Sequence, residues 1–144
     1  MGNGTKANKN GKKLEDLFEN LLIKHDIPYQ KQVKYTGIYG KQSKMDFYLT
    51  DHDVAIEIKN QTGSGSVWEK IPHVMHSLIK FPAKRGVLVC GDINAINESR
   101  DSWWKDSGNG AIVWAENFAK SESKDLSVFH FRDIEAFVKS LNHK

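Results

Sequence analysis

The sequence predicts an α/β sandwich, a mixed central β-sheet flanked by helices, within a single domain. Three observations predict it. Residues 44–49 and 54–61 alternate apolar and polar side chains, the period of half-buried strands, and 29–36 reads as a further strand before them. The run Gly86-Val87-Leu88-Val89-Cys90 is almost continuously apolar, which suits a strand covered on both faces. Apolar residues at helical spacing stand before, between and after these stretches, the pattern of helices layered on a sheet. A chain of 144 residues is long enough for one domain with its own core.

Residues 1–13 carry Lys6, Lys9, Lys12 and Lys13 and no acid. These four are part of 21 lysines and arginines, so 17 bases face 18 acids in the remainder; the segment carries +4, the remainder −1, and the chain +3. Gly, Asn and Lys dominate it, and such a composition cannot bury enough apolar surface to order itself. It is expected to be a flexible basic arm preceding a domain over 14–144. It is either a solvated end or an arm that lies along a polyanion.

Residues 14–25 read as a helix, because Leu14, Leu17, Phe18, Leu21 and Leu22 recur at helical spacing. Glu15, Asp16 and Glu19 lie near its expected start, where the macrodipole favours acids, and Pro28 ends the pattern. A strand over 29–36 and a glycine-containing turn over 37–43 follow. In the next strand Met45, Phe47 and Leu49 are expected on one face and Asp46 and Tyr48 on the other. In the one after it Val54, Ile56 and Ile58 share a face, opposite Ala55, Glu57, Lys59 and Gln61. A Gly/Ser loop over 62–66 leads to a helix over 67–81, with Pro72 in its first turns and Val67, Ile71, Val74, Met75, Leu78 and Ile79 as its stripe. After the central strand come a loop over 91–97 and a polar segment holding Trp103 and Trp104. Residues 111–114 read as another apolar strand, and 126–131 as a short edge strand. A closing helix spans 133–141, with Asp133 as N-cap and Ile134, Phe137, Val138 and Leu141 as its stripe.

Several function classes are excluded. No run of about 18 apolar residues is present, so no membrane span is expected. The first residues hold no apolar h-region, so no secretory signal is expected. One cysteine, Cys90, cannot form an internal disulfide and reads as a core thiol. The expected location is the cytoplasm of a bacterial, archaeal or phage-infected host cell. Neither GxxxxGK[ST] nor GxGxxG occurs, so no nucleotide cofactor is expected. Gly37-Ile38-Tyr39-Gly40 resembles the opening half of a GIY-YIG nuclease motif, but no second half follows, and it reads as a turn. His73 and His76 are three apart on a helix but lack a partner that would complete a zinc site, so they read as a half-exposed face. Trp103 and Trp104 read as one core and one edge residue, with base stacking as the alternative.

The chemistry concentrates in Asp46, Glu57 and Lys59. If the two strands that carry them turn their apolar faces to one core, two carboxylates and one ammonium converge. That set can hold a divalent metal and a phosphate side by side. An acid on one strand and Glu57-Ile58-Lys59 on the next, after a helix bearing Glu15 and Glu19, resembles the PD-(D/E)XK nuclease superfamily. The resemblance covers about residues 11–90. It implies a restriction-endonuclease-like core of order αβββαβ, with Asp46 and Glu57 as metal ligands and Lys59 as the catalytic lysine. Met45 replaces the proline of the family's name. Glu15 resembles a first-helix glutamate and Gln61 a polar residue past the lysine, so both join the implied catalytic set. The activity implied is Mg²⁺-dependent cleavage of DNA, with Mn²⁺ able to substitute. A homodimer is expected, because cutting two strands takes two sites. A second metal on Glu15 is left open, as is the choice among restriction-like, homing or phage, and junction-cleaving enzymes. The rivals are a non-catalytic DNA-binding module on the same fold and an adaptor that uses Trp103-Trp104. The residues alone also admit a surface salt-bridge patch.

DNA contacts are expected in two places. Residues 61–66 leave directly from the Glu57–Lys59 strand. Their amides, with Ser64, Ser66 and the following helix N-terminus, form a phosphate-binding edge, with Lys70 one turn in. An ordinary strand-to-helix turn would use the same letters. The second place is the arm with Lys6, Lys9, Lys12 and Lys13.

Overall fold

The computed structural model of the chain describes residues 2–60, 67–91 and 109–142. Gln61, Ser64, Ser66, Trp103 and Trp104 lie outside the described residues, as do the side chains of Lys6 and Lys9. The elements in order are α1 (Gly2–Lys24), β1 (Gln30–Thr36), β2 (Gln42–Leu49), β3 (Val54–Asn60), α2 (Val67–Lys80) and β4 (Arg85–Gly91). Then follow α3 (Asn109–Ser121), β5 (Asp125–His130), a 3₁₀ turn (Phe131–Asp133) and α4 (Ile134–Ser140).

The five strands form one sheet in chain order, β1-β2-β3-β4-β5. The first three run antiparallel, whereas β3, β4 and β5 run parallel, so the sheet is mixed as expected. Parallel neighbours need crossovers, and α2 supplies the one from β3 to β4. Two apolar layers result. On one face Leu14, Phe18 and Leu22 of α1 and Ile134, Phe137 and Val138 of α4 pack on Phe47, Leu49, Ile56, Ile58, Val87 and Val89. On the other, Ile71, Met75 and Leu78 of α2 and Ile112 and Ala115 of α3 pack on Ala55, Leu88 and Cys90. β4 is therefore covered on both sides, as its unbroken apolar run predicts. Among the described residues no helix is long and apolar enough to cross a membrane.

Four features differ from expectation. First, α1 begins at Gly2 rather than residue 14, so the backbone of residues 2–13 continues the helix. Composition speaks to burial, but once 14–24 is packed each preceding residue adds a bond to an existing helix without a new nucleus. No acid occupies the first turn, so the macrodipole does not account for Glu15, Asp16 and Glu19. At the other end the helix stops in a left-handed cap. Asp26 takes φ 56 and donates its N–H to the Ile23 carbonyl at 3.2 Å, while the Ile27 N–H donates to the Leu22 carbonyl at 2.9 Å. Leu22 and Ile27 are both buried in the α1-side layer, the apolar contact that accompanies such a cap, and Pro28 follows the cap rather than setting it.

Second, residues 111–114 are helical, inside α3, and not a strand. A short apolar run fits either period. What decides is the spacing of Ile112 and Ala115, buried, with Phe118 and Ala119 packed beside them. Third, Asp133 holds the N-cap position of α4 but makes no side-chain cap bond. The 3₁₀ turn before it is capped instead by His130, whose Nδ1 accepts the Arg132 N–H at 3.1 Å. Fourth, Met45 does not share a face with Phe47 and Leu49, because it packs in the α2-side layer while they pack in the α1-side layer. The β1–β2 ladder explains this. It pairs Lys31 with Phe47 and Val33 with Met45, but the step between, Gln32 opposite Asp46, is missing. Gln32 takes φ 52 there. Lys31 reaches Glu19 on α1, whereas Val33 packs with the α2-side layer, so β1 changes face at the same step.

Candidate active site

The site forms where two strands part. β2 and β3 pair at Leu49–Val54, Tyr48–Ala55 and Phe47–Ile56, and their ladder stops there. At the next step the Asp46 carboxylate replaces a backbone partner: its Oδ2 accepts the Ile58 N–H at 2.9 Å. β3 meanwhile stays in register with β4, with Glu57 beside Leu88 and Lys59 beside Cys90. Glu57 and Lys59 therefore sit on a strand held along its other edge, while Asp46 enters from the freed end of β2.

Glu57 is buried, with 7% of its surface exposed, and its Oε2 lies 3.8 Å from the half-buried Lys59 ammonium. Burial, and then the Asp46 charge, push the Glu57 carboxyl well above the ordinary carboxylate range, against the pull of Lys59. Glu15 reaches the same group from α1. Burial, followed by the charge and hydrogen bonding of Asp46, pushes it up to about 7. Thus the structure brings together four predicted residues, Glu15, Asp46, Glu57 and Lys59. Lys12, Lys13 and Lys70 are exposed on their helices.

Sequence reasoning missed the walls. Tyr35, Ser43, Lys44, His73, Val74 and Ser77 line a cleft of about 170 Å³ together with Glu57 and Lys59. Burial raises the Tyr35 phenol, opposed by its hydrogen bond with Ser77, while the charges of Glu57 and Asp46 add to the rise. Nothing in the letters singles out Tyr35 or Ser77, since each follows the ordinary pattern of its element. His73, read from sequence as part of a bland helix face, stands on the cleft wall. Burial also raises the Cys90 thiol, as expected of a core residue, although Lys59 pulls it the other way.

The donor chemistry suits a hard cation. Burial, and after it the charge of Asp46, makes Glu57 and Glu15 hold protons more tightly than usual, and a divalent ion would relieve the repulsion among the three carboxylates. Among the described residues no group of three or more His, Cys, Asp or Glu side chains is arranged to hold a metal ion. Asp46 and Glu57 are the pair that would start a coordination shell, to be completed by backbone, water or substrate oxygens.

A family model described as a PD-(D/E)XK nuclease superfamily domain matches residues 6–142. No curated protein and no solved structure gives a significant match.

Proposed function

The chain belongs to the PD-(D/E)XK nuclease superfamily, and on that premise we propose that it is a Mg²⁺-dependent DNA endonuclease. The observation that carries the reading is the convergence of Asp46, Glu57 and Lys59 at the parting of β2 and β3. Asp46 and Glu57 would hold the metal, with Glu15 close enough to adjust its charge. When bound, the metal supplies Lewis-acid stabilisation of the phosphate and lowers the pKa of a water. Lys59 orients the attacking water and faces the scissile phosphate. Water adds to phosphorus, one P–O ester bond breaks, and the departing oxygen takes up a proton. The Ile58 N–H fixes the Asp46 carboxylate, so little reorganisation is needed when substrate arrives.

The lysines at the start of α1, Lys6, Lys9, Lys12 and Lys13, together with Lys70, would contact the DNA backbone, as would Ser64 and Ser66. Gln61 is proposed as a further polar member of the catalytic set. The active form is proposed to be a homodimer joined through the C-terminal half, giving one site for each strand. The test is cleavage of supercoiled plasmid, single-stranded DNA and a four-way junction, in Mg²⁺, in Mn²⁺ and in EDTA. Metal-dependent cutting is expected, lost by at least about 100-fold in Glu57→Ala and Lys59→Ala. Normal cutting by these variants would overturn the site. Binding without cutting of any substrate would favour the non-catalytic DNA-binding reading.

A further inference from the structure

A second cluster of cations lies outside the metal-binding group. Residues 30–44 hold Lys31, Lys34, Lys41 and Lys44 and no acid. Lys31 is paired with Glu19 at 3.0 Å. Lys34 and Lys44 stand directly opposite each other in the β1–β2 ladder, an arrangement that disfavours the strand pair. A lysine on β1 protects an edge strand from pairing with another chain. Edge protection does not extend to Lys44, because β2 lies inside the sheet, and Lys44 also lines the cleft with Glu57 and Lys59.

The turn between these strands adds an aromatic. It is closed by the Gly37 N–H donating to the Lys41 carbonyl at 2.8 Å, and Gly40 takes φ 76, where a side chain would be strained. Tyr39, held at its tip, is 79% exposed. Its ring stacks on that of His73, with centroids 5.6 Å apart and planes at 27°. Because His73 lines the cleft, the pair stands on the cleft's rim. One face of Tyr39 is covered by His73, and its large exposure leaves room for another flat group. Cations interleaved with an open aromatic are the means by which proteins hold unpaired nucleotides.

We propose that the β1–β2 hairpin is a DNA-binding surface on which Lys34, Lys41 and Lys44 neutralise backbone phosphates while Tyr39, backed by His73, stacks an unpaired base at the rim of the cleft. The proposal rests on the nuclease reading and narrows its substrate class to DNA with unpaired nucleotides next to the cut, such as forks, flaps or single strands.

The test is fluorescence anisotropy of labelled duplex, single-stranded and forked DNA with the full chain in EDTA, so that binding is read without cleavage. Circular dichroism verifies that each variant folds. For Lys34→Gln/Lys41→Gln/Lys44→Gln, the plot of log affinity against log salt should become shallower by about 2 to 3 on duplex DNA. For Tyr39→Ala, affinity for forked and single-stranded DNA should fall roughly tenfold, with duplex binding little changed, and Tyr39→Phe should restore it. An unchanged salt slope in the folded triple variant overturns the phosphate contacts. Equal effects of Tyr39→Ala on all three DNAs, or none, overturn the stacking. A chain that shows the predicted binding but cuts nothing in Mg²⁺ sinks the nuclease reading alone. A chain that cuts normally while both sets of variants bind as the parent sinks this proposal alone.

Discussion

Glu15→Gln should make the protein more stable at high pH and leave it unchanged at low pH. Glu15 holds its proton up to about 7, against 4.5 for the ordinary side chain, because it is partly buried and faces Asp46. A carboxyl whose pKa is raised by folding binds more protons in the folded state than in the unfolded one. Between pH 4.5 and about 7 the folded state therefore loses stability as pH rises, and above that window the loss is complete. The displacement corresponds to about 3 kcal/mol at full weight, and solvent screening at this half-buried position brings it to about 1.5 kcal/mol. Glutamine keeps the shape and cannot ionise. The variant should match the parent near pH 4 and exceed it by about 5 °C in Tm near pH 8. Thermal unfolding in EDTA across that range reads the difference without metal. A gap of the same size at both ends, or none at pH 8, would show that Glu15 does not share a compact acidic site with Asp46.

The other perturbations address the metal, the cleft wall and the strand crossing. Mg²⁺ should raise Tm more at pH 8 than at pH 5, because protons compete with it for Glu57 and neutralise Glu15 beside it, and differential scanning fluorimetry that finds equal shifts would speak against Glu57 as a ligand. Lys124→Met should cost about 2 kcal/mol in urea unfolding. The Lys124 ammonium donates to the Leu78, Phe81 and Ile79 carbonyls at 2.7, 2.8 and 3.2 Å and so closes the end of α2, which carries the cleft wall. A change below about 0.5 kcal/mol would make those bonds incidental. Gln32→Val, which strand preference alone would favour, should instead destabilise by about 1–2 kcal/mol, because a β-branched residue resists φ 52. A more stable variant in the same urea assay would count against the crossing.

The legible parts of the fold are those where one period runs long enough to exclude the other. α2, β4 and α4 are of this kind, since their apolar spacing continues over a whole element. Residues 111–114 are too few to decide, and the deciding partners, Phe118 and Ala119, lie beyond the run. The site is legible as letters, and Asp46, Glu57 and Lys59 do meet. Its geometry is not. Strict alternation assigns Asp46 to the same face as Tyr48, on the α2 side, where a glutamate on α1 would be screened from it by the sheet. The interruption at Gln32 and Asp46 moves β1 and β2 from one face to the other. Bulges and crossings of this sort are often marked by glycine, and here the residue is glutamine, so no letter announces it. Yet the crossing leaves Asp46 between the layers, bonded to Ile58 and within electrostatic reach of both Glu15 and Glu57. The irregularity that defeats the pattern is therefore what joins an acid on α1 to the acids of the sheet in one site.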